Sequence, residues 1–446
     1  MAGIAGIKKT GEKLLVEKML EKISHRGKSG MKIIETDRAT IGVLWPPPQA
    51  NSSYSNLQEN FVQDSAGNGH LAKAELLNGT LKLKRDELGI APLYFGKTSD
   101  GALCFASEVK ALLLATNDVN EFPAGHESAD EKLIQYFHLQ KHDEIDEPPK
   151  IIASKLRHLL DNSILSRIKH DSFGSWLSGG LDSSTFAALA KPYVSSFHTF
   201  SAGIKNAPDL EYADELAAYI KSNHHKIIVD IDMMIKNLPD VIYQLESFDA
   251  LLVRSSIMNY LVSKEASNYV QEIFSGEGGD ELFAGYDYIK TLKKESIPDE
   301  LIDITARLHN TAFQRVDRSA SAHTTVPHVV FADPNVFSYA LTIPAAYKLN
   351  NGIEKWILRQ AVEDVLPPKI LNRTKAKFWE GAGVHNILAE YASKKITDDN
   401  FNKEKFLQNG WKLNSKEELM YYRIFKNHFG ECSNFDWMGR TKGFDN

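Results

Sequence analysis

Apolar and polar positions follow two different rhythms along this chain, and the change falls near residue 150. Before residue 125 the apolar runs are short and bounded by turn residues. Residues 40–45 read as a strand that stops at Pro46-Pro47-Pro48. Residues 81–84, 93–96 and 103–106 read as further strands, with Ser99-Asp100-Gly101 as a turn. Residues 51–69 are polar and loop-like, and residues 126–149 are acidic and polar, with one short helical pattern at 133–139.

Beyond residue 150 strands and helices alternate. The spacing predicts a helix over 152–168, a buried strand over 173–177 and a helix over 183–190 ended by Pro192. A strand over 197–202, a helix over 212–220 and strands over 227–229 and 270–274 follow. This alternation argues for a parallel α/β sheet. From residue 286 to 429 the pattern is mostly helical and predicts a helical cap on that core.

The 446 residues suffice for two or three domains. A formal charge of −6 argues against nonspecific nucleic-acid or acidic-membrane binding. No apolar run approaches the length of a membrane span. The N-terminus has no basic stretch followed by an apolar core, so no secretory signal is read. The two cysteines, Cys104 and Cys432, argue against a disulfide framework or a Cys-rich zinc site. A cytoplasmic protein is the simplest expectation.

Two strings carry chemistry. Ser178-Gly179-Gly180-Leu181-Asp182-Ser183-Ser184 lies between a predicted strand and a predicted helix. Its glycines allow a sharp turn and close approach to a ligand. Its amides and the helix start suit phosphates, and the three serines add hydroxyl donors. Asp182 repels phosphate and fits instead as a magnesium ligand. A plain Gly/Ser turn with Asp182 as a helix cap is the weaker alternative, because glycines, hydroxyls and a carboxylate converge on one helix start. The string lacks the Lys-Ser/Thr of a Walker loop.

Ser275-Gly276-Glu277-Gly278-Gly279-Asp280-Glu281 follows another buried strand. Asp280 is placed to be a second magnesium ligand opposite Asp182. Glu277 could take a proton from an attacking amine. Adjacent His224 and His225 point to opposite faces of a strand, so they are read as structural rather than as a metal site.

With both strings in order, the sequence resembles the asparagine synthetase family. Residues 121–125 (EFPAG) are similar to that family's domain junction, and residues 197–204 (FHTFSAGI) to its adenine-lining segment. Residues 245–256, with Asp249 and Arg254, resemble its substrate-side segment, and residues 372–378 (NRTKAKF) its lysine loop. The resemblance implies a shortened Ntn-type glutaminase-like α+β domain over 1–125, a linker over 126–149, and a ligase domain over 150–446. That last part would be a PP-loop ATP pyrophosphatase of the adenine-nucleotide α-hydrolase type, with C-terminal helices. It implies ATP and Mg2+ as cofactors and adenylation of a carboxylate followed by amide formation. Asp182 and Asp280 would hold magnesium. Ser178, Gly179, Gly180, Asp182, Ser183 and Ser184 would form the pyrophosphate loop. Ala202, Ser275 and Gly276 would contact the nucleotide, and Lys375 would stabilise charge at the α-phosphate. Asp249, Arg254 and Glu277 would face the substrates.

The sequence also departs from that family. The N-terminal cysteine nucleophile is replaced by Ala2, and the Pro-Asp expected after Arg26-Gly27 is Lys28-Ser29. An alanine cannot form a thioester. Arg85 to Tyr94 and Phe105 to Lys110 match and read as retained scaffold. Leu251 and Leu252 stand where threonines are usual. Val326 and His328 replace a Glu and an Arg, and Trp379 replaces a small polar residue. These changes point away from aspartate. Three readings stay open: an amide-forming ligase using ammonia, a lactam-forming ligase resembling β-lactam synthetase, and a nonenzymatic nucleotide-binding regulator. A homodimer and a separate ammonia donor also stay open.

Overall fold

The computed structural model describes residues 1–46, 60–129, 132–374, 382 and 386–442. The first strands in chain order are β1 (Gly3–Ile7), β2 (Gly30–Glu35), β3 (Thr40–Trp45), β4 (Phe61–Ser65), β5 (Leu71–Leu77) and β6 (Thr80–Arg85). Next come β7 (Tyr94–Lys97), β8 (Leu103–Ala106), β9 (Asn120–Glu121), β10 (His126–Ala129) and β11 (Lys132–Gln135). They form two antiparallel sheets, ordered β2-β3-β1-β8-β7-β9 and β11-β10-β6-β5-β4. Alternation decides the inner faces. In β6, Leu81 and Leu83 are buried while Lys82 and Lys84 face outward. Ala2, Ile4, Ile41, Val62, Ala74 and Phe105 complete a core shared by both sheets. The Lys13–Lys22 helix packs Val16, Met19 and Leu20 against the other side of the first sheet.

The expected helix at 133–139 is instead the exposed strand Lys132–Gln135 followed by irregular chain that packs Phe137 and Leu139 on the core. The strand pairs with β10, which extends the second sheet through Glu127 and Lys84.

The second half is a parallel sheet of β12 (Ser172–Trp176), β13 (Ser196–Gly203), β14 (Asn223–Ile228), β15 (Glu272–Ser275) and β16 (Val326–Val329). Its order is β14-β13-β12-β15-β16. The predicted strands all occur, and β16 adds one in a stretch that reads as helical. Val326–Val329 is buried throughout, and its Pro327 is tolerated because β16 is an edge. The strand order reverses between β12 and β15, so a crevice opens at their carboxyl ends. The Ala250–Ala266 helix is buried on nearly every side, and the Ala312–Ser321 and Lys416–Phe429 helices pack against it.

The two halves share a buried charge network. Arg26, fully buried, donates to Asp64 at 3.0 Å and Glu108 at 2.8 Å in the first half. It also forks onto Asp317 of the second at 2.8 and 2.9 Å. Arg318 continues the network to Glu246 at 2.9 Å. The cysteines are both free, and no described helix is long and apolar enough to cross a membrane.

Candidate active site

The two glycine-rich strings leave the adjacent strands β12 and β15 and meet at the crevice. Gly179 has φ +69°, and a Cβ there would lie 2.5 Å from the Cβ of Tyr212. Only glycine turns the chain this tightly. Gly180 then opens the Leu181–Ala190 helix. The Ser178 amide donates to Ser183 Oγ at 3.2 Å, and the two serine hydroxyls lie 3.1 Å apart, so the loop is braced from within. Gly276 presses on this loop, where a Cβ would meet the Ser183 amide nitrogen at 2.8 Å.

A cavity of about 550 Å³ lies over these loops. Ser178, Gly180, Asp182, Ser183, Ala202, Ser275, Gly276, Glu277 and Asp280 line it, as the sequence leads one to expect. Ser184 does not line it and is fully buried beneath the loop. Trp176 and Phe200 add flat apolar surface near Ala202.

Asp182 and Asp280 converge on one cation, the ammonium of Lys355. Asp280 Oδ1 lies 2.6 Å from it, and Asp182 is ion-paired to it as well. Lys355 is buried and sits in the left-handed region at φ +54°. Such a conformation costs about 1–3 kcal/mol and persists only where the surroundings enforce it. Nothing in the chain's pattern marks this lysine, because a lone Glu-Lys ahead of a helix reads as surface. Beside Asp280, burial and the Asp280 charge push the Glu281 carboxyl up to about 7, although Tyr286 donates a hydrogen bond to it. Arg373 ties the wall together: it pairs with Asp209, donates to the Ser178 carbonyl at 3.2 Å and lies 4.0 Å over the Tyr212 ring.

On the opposite side Glu277 is ion-paired with Arg315, whose other amino group donates to Ser255 Oγ at 2.8 Å. Arg315, too, escaped sequence reasoning, since it looks like one charge on an amphipathic helix face. The expected substrate-side pair is used elsewhere. Asp249 caps the Ala250–Ala266 helix through the Leu252 amide at 2.8 Å and accepts from Thr441 Oγ1 at 2.8 Å. Burial pushes its carboxyl up. It does not line the cavity. Arg254 lines the cavity but is ion-paired with buried Glu417, which also accepts from Tyr421 at 2.7 Å. Leu251 and Leu252 are in the wall. Val326 and His328 are not: they lie in β16, where His328 is hydrogen-bonded to Glu272 at 2.5 Å. Their identities therefore shape the sheet rather than this cavity. His224 and His225 make separate contacts, His224 with Thr199 and Ser201 and His225 with His198, as adjacent residues of a strand must. Lys375 and Trp379 lie outside the described residues.

The asparagine synthase family profile matches residues 155–306 and 293–438, and a glutamine amidotransferase domain profile matches 53–171. The chain belongs to the asparagine synthase family. It is 31% identical over 401 residues to asparagine synthetase B (glutamine-hydrolyzing) of Escherichia coli, covering 84% of this chain and 72% of that one. It is 33% identical over 413 residues to the Gallus gallus asparagine synthetase (glutamine-hydrolyzing), covering 81% and 73%. A solved NMN synthetase from Francisella tularensis matches 67% of this chain and 100% of its own, with 14% identity and a TM-score of 0.29, a likeness too slight to carry weight. As an asparagine synthase family member, the protein is an ATP-dependent ligase that forms carbon–nitrogen bonds, built from an amidotransferase-type domain and a parallel-sheet nucleotide domain.

Proposed function

We propose that the protein activates a carboxylate with ATP and amidates it with ammonia or another amine, without glutamine hydrolysis of its own. The observation that carries this reading is the convergence of Asp182 and Asp280 on one cation beside the glycine-braced loop. Two neighbouring carboxylates that here share the Lys355 ammonium offer the hard oxygens Mg2+ prefers, its remaining positions being commonly filled by phosphate oxygens and water. When bound there, magnesium would neutralise the triphosphate.

The amides and hydroxyls at Ser178, Gly180 and Ser183 would hold pyrophosphate. Trp176, Phe200 and Ala202 would cover the adenine. A substrate carboxylate oxygen attacks the α-phosphorus, the α–β anhydride bond breaks and pyrophosphate leaves. The amine then attacks the acyl carbon, the bond to AMP breaks, and Glu277 accepts the proton that the amine loses. Arg315 fixes the Glu277 carboxylate toward the cavity. Lys375 would meet charge at the α-phosphate, as the family resemblance implies.

The loss of glutamine hydrolysis is supported at Ala2. It carries no thiol, is fully buried, and its amide donates to Asp64 at 2.8 Å. The test is pyrophosphate and AMP release across a panel of carboxylic acids, with either ammonium or glutamine. Acid-dependent release with ammonium, and no glutamate from glutamine, is the expected result. Equal turnover with glutamine and concurrent glutamate release would overturn the amine-source reading. No release with any acid, despite ATP binding, would overturn the ligase reading in this form.

A further inference from the structure

Resting on the ligase reading above, we propose that the acyl substrate is a monocarboxylic acid with an apolar body, seated between the Ala250–Ala266 and Ala312–Ser321 helices. Two features of the cavity carry this. First, away from the glycine-rich loops Leu251, Ile304, Leu308 and Ala312 give the wall an apolar patch, set among ion-paired side chains. A second charge placed against that patch would lose its hydration with nothing to replace it.

Second, every described arginine or lysine that lines the cavity already has a carboxylate partner. Arg254 pairs with Glu417 and Arg315 with Glu277. Arg307 forks onto Asp303 at 3.0 Å through both Nε and Nη2, and Lys442 reaches Glu300 at 2.7 Å and Asp303 at 3.0 Å. On the nucleotide side, Lys355, Arg359 and Arg373 are paired with Asp182 and Asp280, Glu354 and Asp209. A dicarboxylate must therefore strip a cation from a carboxylate already in place. The Arg254–Glu417 pair is the hardest to open, because Glu417 is buried and Tyr421 also donates to it. Breaking a buried pair leaves an uncompensated charge.

The remaining polar groups there are neutral. Asn259 is buried on the cavity wall with its Oδ1 unpartnered, and Ser255 lies one helical turn away.

The test measures kcat/KM for pyrophosphate release with hexanoate, phenylacetate, 6-hydroxyhexanoate, succinate, glutamate and aspartate, with ammonium as amine. Apolar monoacids are expected to exceed the dicarboxylates by at least about tenfold, which corresponds to about 1.4 kcal/mol. Glu417→Gln releases Arg254 and is expected to raise succinate relative to hexanoate by about tenfold. Leu251→Ser is expected to lower hexanoate and spare succinate. Preference of the unaltered protein for succinate, glutamate or aspartate would sink the substrate class while leaving the ligase intact. An unchanged acid ratio in both variants, with ATP still protecting each against heat, would do the same. Silence with all six acids, alongside ATP binding, would remove the ligase reading with it.

Discussion

At the scale of single residues, the site is a balance of charges that a ligand must rearrange. Asp182→Asn and Asp280→Asn each remove half of one cation site. Each is expected to lower kcat by at least about 100-fold, read as pyrophosphate release, because positioned charge is worth most where charge develops. ATP binding followed by thermal protection should weaken far less. A different residue sets the pH response of folding. Lys348 is fully buried, and burial lowers its ammonium to about 7 from 10.5. Between those values the unfolded chain binds the extra proton, so stability rises with pH over that window, by about 1.4 kcal/mol per pH unit at its steepest. Below about pH 7 the folded protein carries the full cost of burying the charge. Lys348→Met is expected to stabilise most at pH 6.5 and progressively less toward pH 10, measured as urea midpoints. An equal gain at every pH would mean that lost packing, not charge, decides.

At the scale of elements, aromatic packing fixes the helices around the cavity. Phe248 precedes the Ala250–Ala266 helix and sits among Tyr422, Phe425 and Phe435 at centroid distances of 5.3, 5.2 and 5.1 Å. Phe248→Ala is expected to cost about 3–5 kcal/mol. It should also raise KM for the acid, because Arg254 and Glu417 come from the two helices it joins; calorimetry and steady-state kinetics would read both effects. The strands β12 and β15 were legible because each is a buried run that ends in a glycine-rich turn. The strand at 326–329 was not, since VPHV carries a proline and a histidine and gains its identity only from lying beside β15. The hairpin at 126–135 was hidden for a related reason: its partner is the edge of a sheet formed far earlier in the chain. The glycine-rich loops of the site were equally readable, as their spacing alone forces close approach. Lys355, Arg315 and Glu417 were not, because their roles depend on partners 173, 38 and 163 residues away.

At the scale of the whole molecule, Arg26 joins the halves. Replacing it with leucine leaves Asp64, Glu108 and Asp317 buried with one cation fewer. The expected loss is about 3–5 kcal/mol of stability. Urea unfolding should remain a single transition in the unaltered protein when followed by both tryptophan fluorescence and circular dichroism, and should separate into two for Arg26→Leu. Coincident transitions in the variant would show that apolar contact alone couples the halves. The network also carries a historical consequence. A lineage that eroded the first half residue by residue would take Arg26 and Glu108 away from Asp317 and Arg318 while that face is still covered. Each intermediate step toward a solitary nucleotide domain would thus be less stable than its parent. Whatever work the amino-terminal half does or has ceased to do, its partner cannot easily outlive it.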